Sequence, residues 1–475
     1  TLADAVILCA NHRLARHLRA AHDRARAAAG SATWAPLVAL TPGAWLDSVT
    51  DEALLAGAIP AAGAPRLALS GAQERLLWEA AIGASAAGGE DALFDVEGLA
   101  QSAAEANDLC ETWNLRPDAD AGEETRRFLD WRRHVRRECQ AHGWLEGSRL
   151  RAWQIRRIAE GAGRLPAKLA FAGFDRYNPQ EIELARALEA RGVEVVELVP
   201  GRESPGNVFV TVCADRRAEC RMAAAWAAER LSAEPGARLA IVAPGLEGVR
   251  EMLAGALDDA LHPGALTPGN AEMPRRYNFS LGAPLARAGV VDVALRLLRV
   301  AAHPRRCEQP EFSALLLGPY WSAFESEREG RARLDAAMRR HLPPRFAVPR
   351  LSTFARRFES RGLSVGRTLR HLDALAGMDD RRPMQRWPSA WGAALADLLA
   401  QAGWPGERGL SSHEWQARSA FLETLASMGG LDAMLGKVGI VEACRHLSRL
   451  CRERVFQPET EGVAAIEVMG PLEAA

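Results

Sequence analysis

The chain has 475 residues, 48% hydrophobic and 25% charged, with a net charge of −1. At a prior of ~150 residues per domain this length predicts three or four globular units, and the composition excludes a disordered or fibrous chain. A molecule so close to neutral has no bulk field for nucleic acid, so any phosphate contact must come from local clusters of cations. No run of about 18 apolar residues occurs, and the start at Thr1 lacks a basic region leading into an apolar stretch, so a soluble cytoplasmic protein with no membrane partner is expected. The missing initiator methionine, and an end at Ala475 with no helix stop, predict a piece of a longer protein.

In chain order, Val6-Ile7-Leu8 reads as a short strand leading into an arginine-rich helix with Leu14, Leu18 and Ala21 at helical spacing. Leu37 to Leu40 is a second strand, and Thr41-Pro42 a cap and first turn for the next helix. From Ser70 to about Arg164 the pattern is all helical: Ser70 to Gln73 forms a capping box, followed by helices over Val96–Trp113 and Glu123–His142. Strands return at Leu169–Gly173 and Val193–Leu198, with a helix over Pro179–Arg191 between them. Further strands are predicted at Val208–Val212 and Leu239–Ala243, flanking a helix over Ala218–Leu231. From about Tyr277 to Arg452 helices dominate again, with proline-rich joints near Pro343-Pro344 and between Pro383 and Pro405, and Val463 to Met469 is a last strand.

Sites of chemistry are sparse. The eight cysteines (Cys9, Cys110, Cys139, Cys213, Cys220, Cys307, Cys444, Cys451) include no Cys-x-x-Cys pair, which argues for free thiols and against zinc, an iron–sulfur cluster or a disulfide framework. A phosphate-cradling loop needs Gly-x-x-x-x-Gly-Lys-Ser/Thr, but the single Gly-Lys, Gly436-Lys437, precedes Val438 and has Leu431 in place of the first glycine. Lys168 and Lys437 are the only lysines, and Pro166 and Leu435 stand where a nuclease of the PD-(D/E)xK type needs an acid. His12, His17 and His22 are five residues apart, which does not place them on one helix face as metal ligands. No catalytic residue, cofactor or metal site is therefore assigned.

Three basic runs are candidate phosphate contacts. One follows the first strand: Asn11, Arg13, Arg16 and Arg19. The second is Arg339, Arg340, Arg345, Arg350, Arg356, Arg357 and Arg361, interleaved with Phe346, Phe354 and Phe358. Arginine with aromatics can hold a backbone and stack bases, although the four-residue spacing of Phe354 and Phe358 also suits a helical core. The third, Arg132, Arg133, Arg136 and Arg137, is offset by Asp130 and Glu138 and reads as a solvated face. Trp78, Trp113, Trp131 and Trp144 read as core of the helical block.

The order of elements resembles the UvrD-like superfamily 1 helicases. Ile7-Leu-Cys-Ala-Asn11 through Arg19 looks like the strand, turn and helix that track single-stranded DNA in that family, and Leu40-Thr41-Pro42-Gly43-Ala44-Trp45-Leu46 is similar to its next element. Phe171-Ala-Gly-Phe-Asp-Arg-Tyr-Asn-Pro-Gln180 stands at the family's Asp-Glu-x-Gln-Asp box, with Phe171 and Ala172 at the paired acids and Gln180 keeping the downstream glutamine. Apolar side chains cannot hold magnesium or orient water. Ala240-Ile-Val-Ala-Pro244 resembles the entry to a second core, with Pro244 where active enzymes carry an arginine.

With Trp78, Phe94-Asp95, Trp113 and Phe128-x-x-Trp131, the likeness narrows to the inactivated AddB and RecC type and to a group of DNA repair proteins that continue into a RecB-like nuclease domain. The resemblance implies an α/β fold of two RecA-like parallel-sheet cores, each with a large all-helical insertion. Its boundaries would be 1–68 and 165–205 for the first core with insertion 69–164, then 206–275 and 455–475 for the second with insertion 276–454. It further implies a DNA-binding scaffold of a repair or recombination nuclease complex without ATP hydrolysis. Asn11, Arg13, Arg16, Arg19 and Thr41 would face single-stranded or branched DNA, and a helicase or nuclease subunit would be a partner. A protein-interaction subunit with little DNA contact of its own is the alternative.

Overall fold

The computed structural model of the chain describes residues 5–86, 95–118, 120, 122–199, 206–267, 274–280, 282–377, 384–458 and 464–474. Phe94, Pro383 and Val463, which entered the sequence reading, lie outside them. The fold is mixed α/β with parallel strand pairing, and the chain divides into two compact units, Thr1–Ala256 with Glu467–Ala475, and Leu257–Ile466. No helix among the described residues is long and apolar enough to cross a membrane.

Unit 1 opens with β1 (Ala5–Cys9), α1 (His12–Ala28), β2 (Val38–Leu40) and α2 (Pro42–Leu55). A helical block follows: β3 (Leu67–Ala68), α3 (Gly71–Ala86), α4 (Val96–Thr112), α5 (Glu123–His142), β4 (Trp144–Leu145) and α6 (Gly147–Ala159). The chain then returns through β5 (Lys168–Ala172), α7 (Pro179–Ala190) and β6 (Glu194–Leu198). β1 pairs parallel with both β2 and β5, and β5 pairs parallel with β6, so the sheet order is β2-β1-β5-β6. The first crossover from β1 runs to one side and the later one to the other. The carboxyl ends of β1 and β5 therefore flank a topological switch point, where open α/β sheets form their crevice.

Local chemistry sets the element ends. Gln73 N donates to Ser70 Oγ at 3.4 Å and Ser70 N to Gln73 Oε1 at 2.8 Å, closing the expected capping box of α3. Asn178 and Glu181 form another at α7, with Pro179 in its first turn. α5 ends at Gly143, whose φ of 70° suits a residue without Cβ. Leu8, Leu46, Ile158, Leu169, Leu184 and Leu188, all nearly inaccessible, fill the space between the sheet and α2, α6 and α7.

The remainder of unit 1 contains α8 (Arg216–Ala233), β7 (Leu239–Val242) and α9 (Leu246–Leu261), which runs across the division into unit 2. The expected strand over Val208–Val212 is not formed. Those residues carry no secondary structure, and Val208, Phe209, Val210 and Val212 are 81–93% exposed. Strand propensity alone cannot hold an extended segment whose amides and carbonyls find no ladder.

Unit 2 is chiefly helical. After β8 (Tyr277–Phe279) and β9 (Ala283–Pro284) come α10 (Gly289–Ala302), β10 (Cys307–Glu308), α11 (Gln309–Leu317), α12 (Arg328–His341), β11 (Arg345–Phe346), α13 (Val348–Glu359) and α14 (Gly366–Ala376). It closes with α15 (Pro388–Gln401), α16 (Ser412–Ser427), α17 (Asp432–Leu435), α18 (Ile440–Glu453) and β12 (Val455–Phe456). The short strands pair antiparallel, β10 with β11 and β9 with β12. One large core joins the helices, with Leu297, Phe312, Trp321, Leu372, Leu395, Phe421 and Leu447 buried. The indole N–H groups of Trp321, Trp391 and Trp404 each reach a backbone carbonyl at 2.7–2.8 Å. The last strand, β13 (Ile466–Met469), carries the chain back into unit 1, where Ala243 N donates to Met469 O at 2.8 Å.

Candidate nucleic-acid interface

The crevice at the switch point is closed by apolar groups. Ala10 N donates to Ala172 O at 3.1 Å, drawing the ends of β1 and β5 together. Gly173 follows with φ +72°, and a Cβ there would fall 2.5 Å from Leu14 Cδ2. Phe171 and Ala172 are buried, and Phe171 packs edge-on against Phe174 and Tyr177 at 5.5 and 5.6 Å. The two positions that the resemblance pairs with metal-holding acids are thus buried in the apolar cores on the two faces of the sheet. Gln180 is also buried and donates to Glu111 O at 3.3 Å, while Pro244 lies exposed in the turn after β7.

α1 springs from this crevice and presents cations. Asn11 caps it, accepting from Leu14 N at 2.8 Å, which spends its side-chain oxygen on the helix. Ala15 is the one fully buried residue of the helix. Arg13 Nη2 pairs with Glu467 Oε2 at 3.2 Å, and Nη1 lies 3.1 Å from Met469 Sδ. Arg16 is exposed with no acidic partner among the described residues. Arg19 folds back on Ala15 O at 3.3 Å, and Thr41 caps α2, accepting from Ala44 N at 3.4 Å. Of these residues, Arg16 and Arg19 are exposed without an acidic partner among the described residues, and Asn11 and Thr41 act as helix caps.

Sequence reasoning missed the group around His17. Its pKa is lowered by burial and by the charges of Arg238, Arg24 and Arg13. This brings α1 together with the residue that precedes β7. Arg24, whose Nε donates to Ala20 O at 3.2 Å as that of Arg19 does to Ala15 O, and Arg238 are exposed and, with Arg16 and Arg19, make this an arginine-rich surface. Arg24 could have been found as one more arginine on the Arg13 and His17 face, three turns along. Arg238 could not, because only the fold brings it to α1.

In unit 2 the second basic run divides. Arg339 pairs with Asp335, Arg345 with Glu308 and Arg356 with Asp373, each at 2.6 Å. Arg340, Arg350 and Arg357 are exposed without an acidic partner among the described residues. Phe346 is buried, and Phe354 and Phe358 pack against the unit 2 core. The three phenylalanines are thus occupied in packing, the alternative that the four-residue spacing of Phe354 and Phe358 left open. Trp78 is likewise buried, stacked on Phe128 at 5.9 Å, but Trp113 is 39% exposed.

A polar cleft of about 670 Å³ lies between the helical block and the core of unit 1, lined among others by Glu74, Arg75, Asp108, Ser148, Arg151 and Gln180. Glu74 accepts from Gly147 N, the first residue of α6, whose own N-cap residue Glu146 makes no side-chain cap. Burial pushes the Glu74 carboxyl up to about 7, with smaller contributions from Glu146 and Asp108, against the lowering effect of the Gly147 and Ser148 amides. No group of three or more His, Cys, Asp or Glu side chains suited to a metal occurs among the described residues. No family model matches the chain, and no curated protein gives a significant match.

Proposed function

We propose that the chain is a DNA-binding scaffold of a repair or recombination nuclease assembly, built on two helicase-like cores with helical insertions and without ATP hydrolysis. The observation that carries this reading is the exposed arginines of α1, Arg16 and Arg24, with Arg238, beside sheet ends whose Phe171 and Ala172 are buried in apolar packing. Exposed guanidinium groups on a rigid helix hold phosphates without reading bases. Phe171 and Ala172, buried in apolar packing where the resemblance puts paired acids, offer no ligand to magnesium.

The test is binding of a fluorescent single-stranded oligonucleotide across a salt series, with and without ATP. The scaffold reading predicts affinity that falls steeply with salt and is unmoved by ATP. Binding that responds to ATP would overturn the second half of the proposal, and no binding at low salt the first. In that last case the chain is a subunit that docks a partner helicase or nuclease. The exposed apolar run Val208–Val212 favours this second reading.

A further inference from the structure

In the helical block of unit 1, α5 carries a concavity of about 490 Å³ lined by Arg126, Leu129, Asp130, Arg132, Arg133 and Arg136. Four guanidinium groups there meet two carboxylates, those of Asp130 and Glu111, so two positive charges stay uncompensated. Glu138, which offsets the run in sequence, lies instead 3.9 Å from His142. The solvated face expected from the sequence is thus a recessed surface with net positive charge.

Its arginines are of two kinds. Arg132 is held in place: Nε donates to Asn107 Oδ1 at 2.8 Å and Nη2 to Glu111 Oε1 at 2.6 Å. Arg136 shares Glu111, and its Nε is buried with no hydrogen-bond partner. Arg126, by contrast, is exposed without an acidic partner among the described residues. Arg133 pairs with Asp130 one turn away, but the two side chains keep 75% and 61% of their surface open. An ion pair so exposed is worth little, and a phosphate oxygen makes the stronger charge-assisted bonds with a guanidinium fork.

Spacing and shape select the ligand. Arg126, Arg133 and Arg137 recur seven and four residues apart, on one stripe of the helix. Arg126 and Arg136 are ten residues apart, ~15 Å at the helical rise. That length exceeds a single phosphate group and suits successive phosphates of one strand, while a recessed row cannot be covered by a flat lipid surface. The lining offers no aromatic ring to stack a base and no amide side chain to read one.

We propose that this face of α5 is a second phosphate-binding surface, on which the sugar–phosphate backbone of a nucleic-acid strand lies without its bases being read. Arg126 and Arg133 make the contacts, and Arg132 and Arg136 supply a fixed positive wall behind them. The inference rests on the DNA-binding reading of the chain but not on α1.

The test is anisotropy of the full chain with an oligothymidylate and an oligodeoxyadenylate strand across a salt series. Arg126→Ala with Arg133→Ala should weaken binding at least fivefold at low salt and make the log–log salt slope shallower by ~1–1.5, at about 0.7 per single-strand phosphate contact. The loss should be equal for the two strands, and lysine at both positions should restore most of it, since a phosphate accepts any well-placed cation. Asp130→Asn, which releases Arg133, should tighten binding about twofold. Both arginines project from the surface of α5, so circular dichroism should be unchanged. A wild type that binds, with a double variant equal to it in affinity and slope, would overturn the inference and leave the DNA reading standing on α1. A loss that lysine does not restore would also overturn it, and no binding by wild type at low salt would overturn both.

Discussion

Arg13 and Glu467 form an ion pair at 3.2 Å across 454 positions of sequence. The pair neutralises the inner end of the positive face of α1, so Glu467 acts as a brake on any polyanion that binds there. Glu467→Gln is expected to tighten oligonucleotide binding two- to fivefold at low salt and to steepen its salt dependence, since one more cation becomes available to phosphate. Anisotropy titrations of wild type and variant at two salt concentrations measure this. Unchanged affinity would mean that DNA does not approach Arg13.

Glu74 ties α3 to the start of α6, and its proton should be visible in the stability of unit 1. An acid with a pKa raised to about 7 binds more protons in the folded than in the unfolded chain between the ordinary carboxylate range and neutrality. Stability from this group is therefore lost as pH rises through that window. Melting curves from pH 4.5 to 8 should show wild type declining relative to Glu74→Gln, and parallel curves would contradict the assignment.

His446 gives the opposite slope in unit 2. Burial, aided by Arg445 and Arg449 and opposed by Glu442, whose Oε1 lies 3.8 Å from Nε2 and beyond hydrogen-bond length, lowers its pKa to about 4. The unfolded chain takes up the proton first, so this contribution is complete above the ordinary histidine value and is lost as pH falls toward 4. Urea unfolding followed between pH 7 and 4 should weaken less steeply in His446→Gln than in wild type.

Arg331 is 1% exposed and uses its guanidinium to bond the carbonyls of Leu315, Leu316, Gly318 and Trp321. It lies 5.4 Å from the ring centroid of Trp321. Arg331→Met leaves these acceptors unsatisfied and should cost ~3–5 kcal/mol in denaturant unfolding. Arg331→Lys should recover little of it, because an ammonium cannot span the same acceptors. A loss under ~1 kcal/mol would show that water replaces the guanidinium.

Much of the fold was legible because its signals are local. The Ser70–Gln73 box, the Glu123–His142 helix and the alternation around Lys168–Ala172 and Glu194–Leu198 need only neighbours in sequence. Val208–Val212 shows the limit: its propensity is that of a strand, but a strand is a pairing, and the partner is not encoded in the segment. The candidate site was half legible. Arg16 follows from a basic helix and Arg24, though missed, lies on the same run, whereas the neutralisation of Arg13 by Glu467 and the arrival of Arg238 near His17 depend on chain return. Asn11 and Thr41 were legible as caps from the same letters that suggested DNA contact.

The central claim is that the α1 surface binds nucleic-acid phosphates. Its most direct test compares wild type with the triple variant Arg16→Ala, Arg24→Ala, Arg238→Ala in single-stranded oligonucleotide binding across a salt series. None of the three forms an ion pair with a described acid, so the variant should fold normally, with unchanged circular dichroism. The account predicts at least a tenfold loss of affinity at low salt and a log–log salt slope shallower by ~2–3. Equal affinity and equal slope in the two proteins would contradict it.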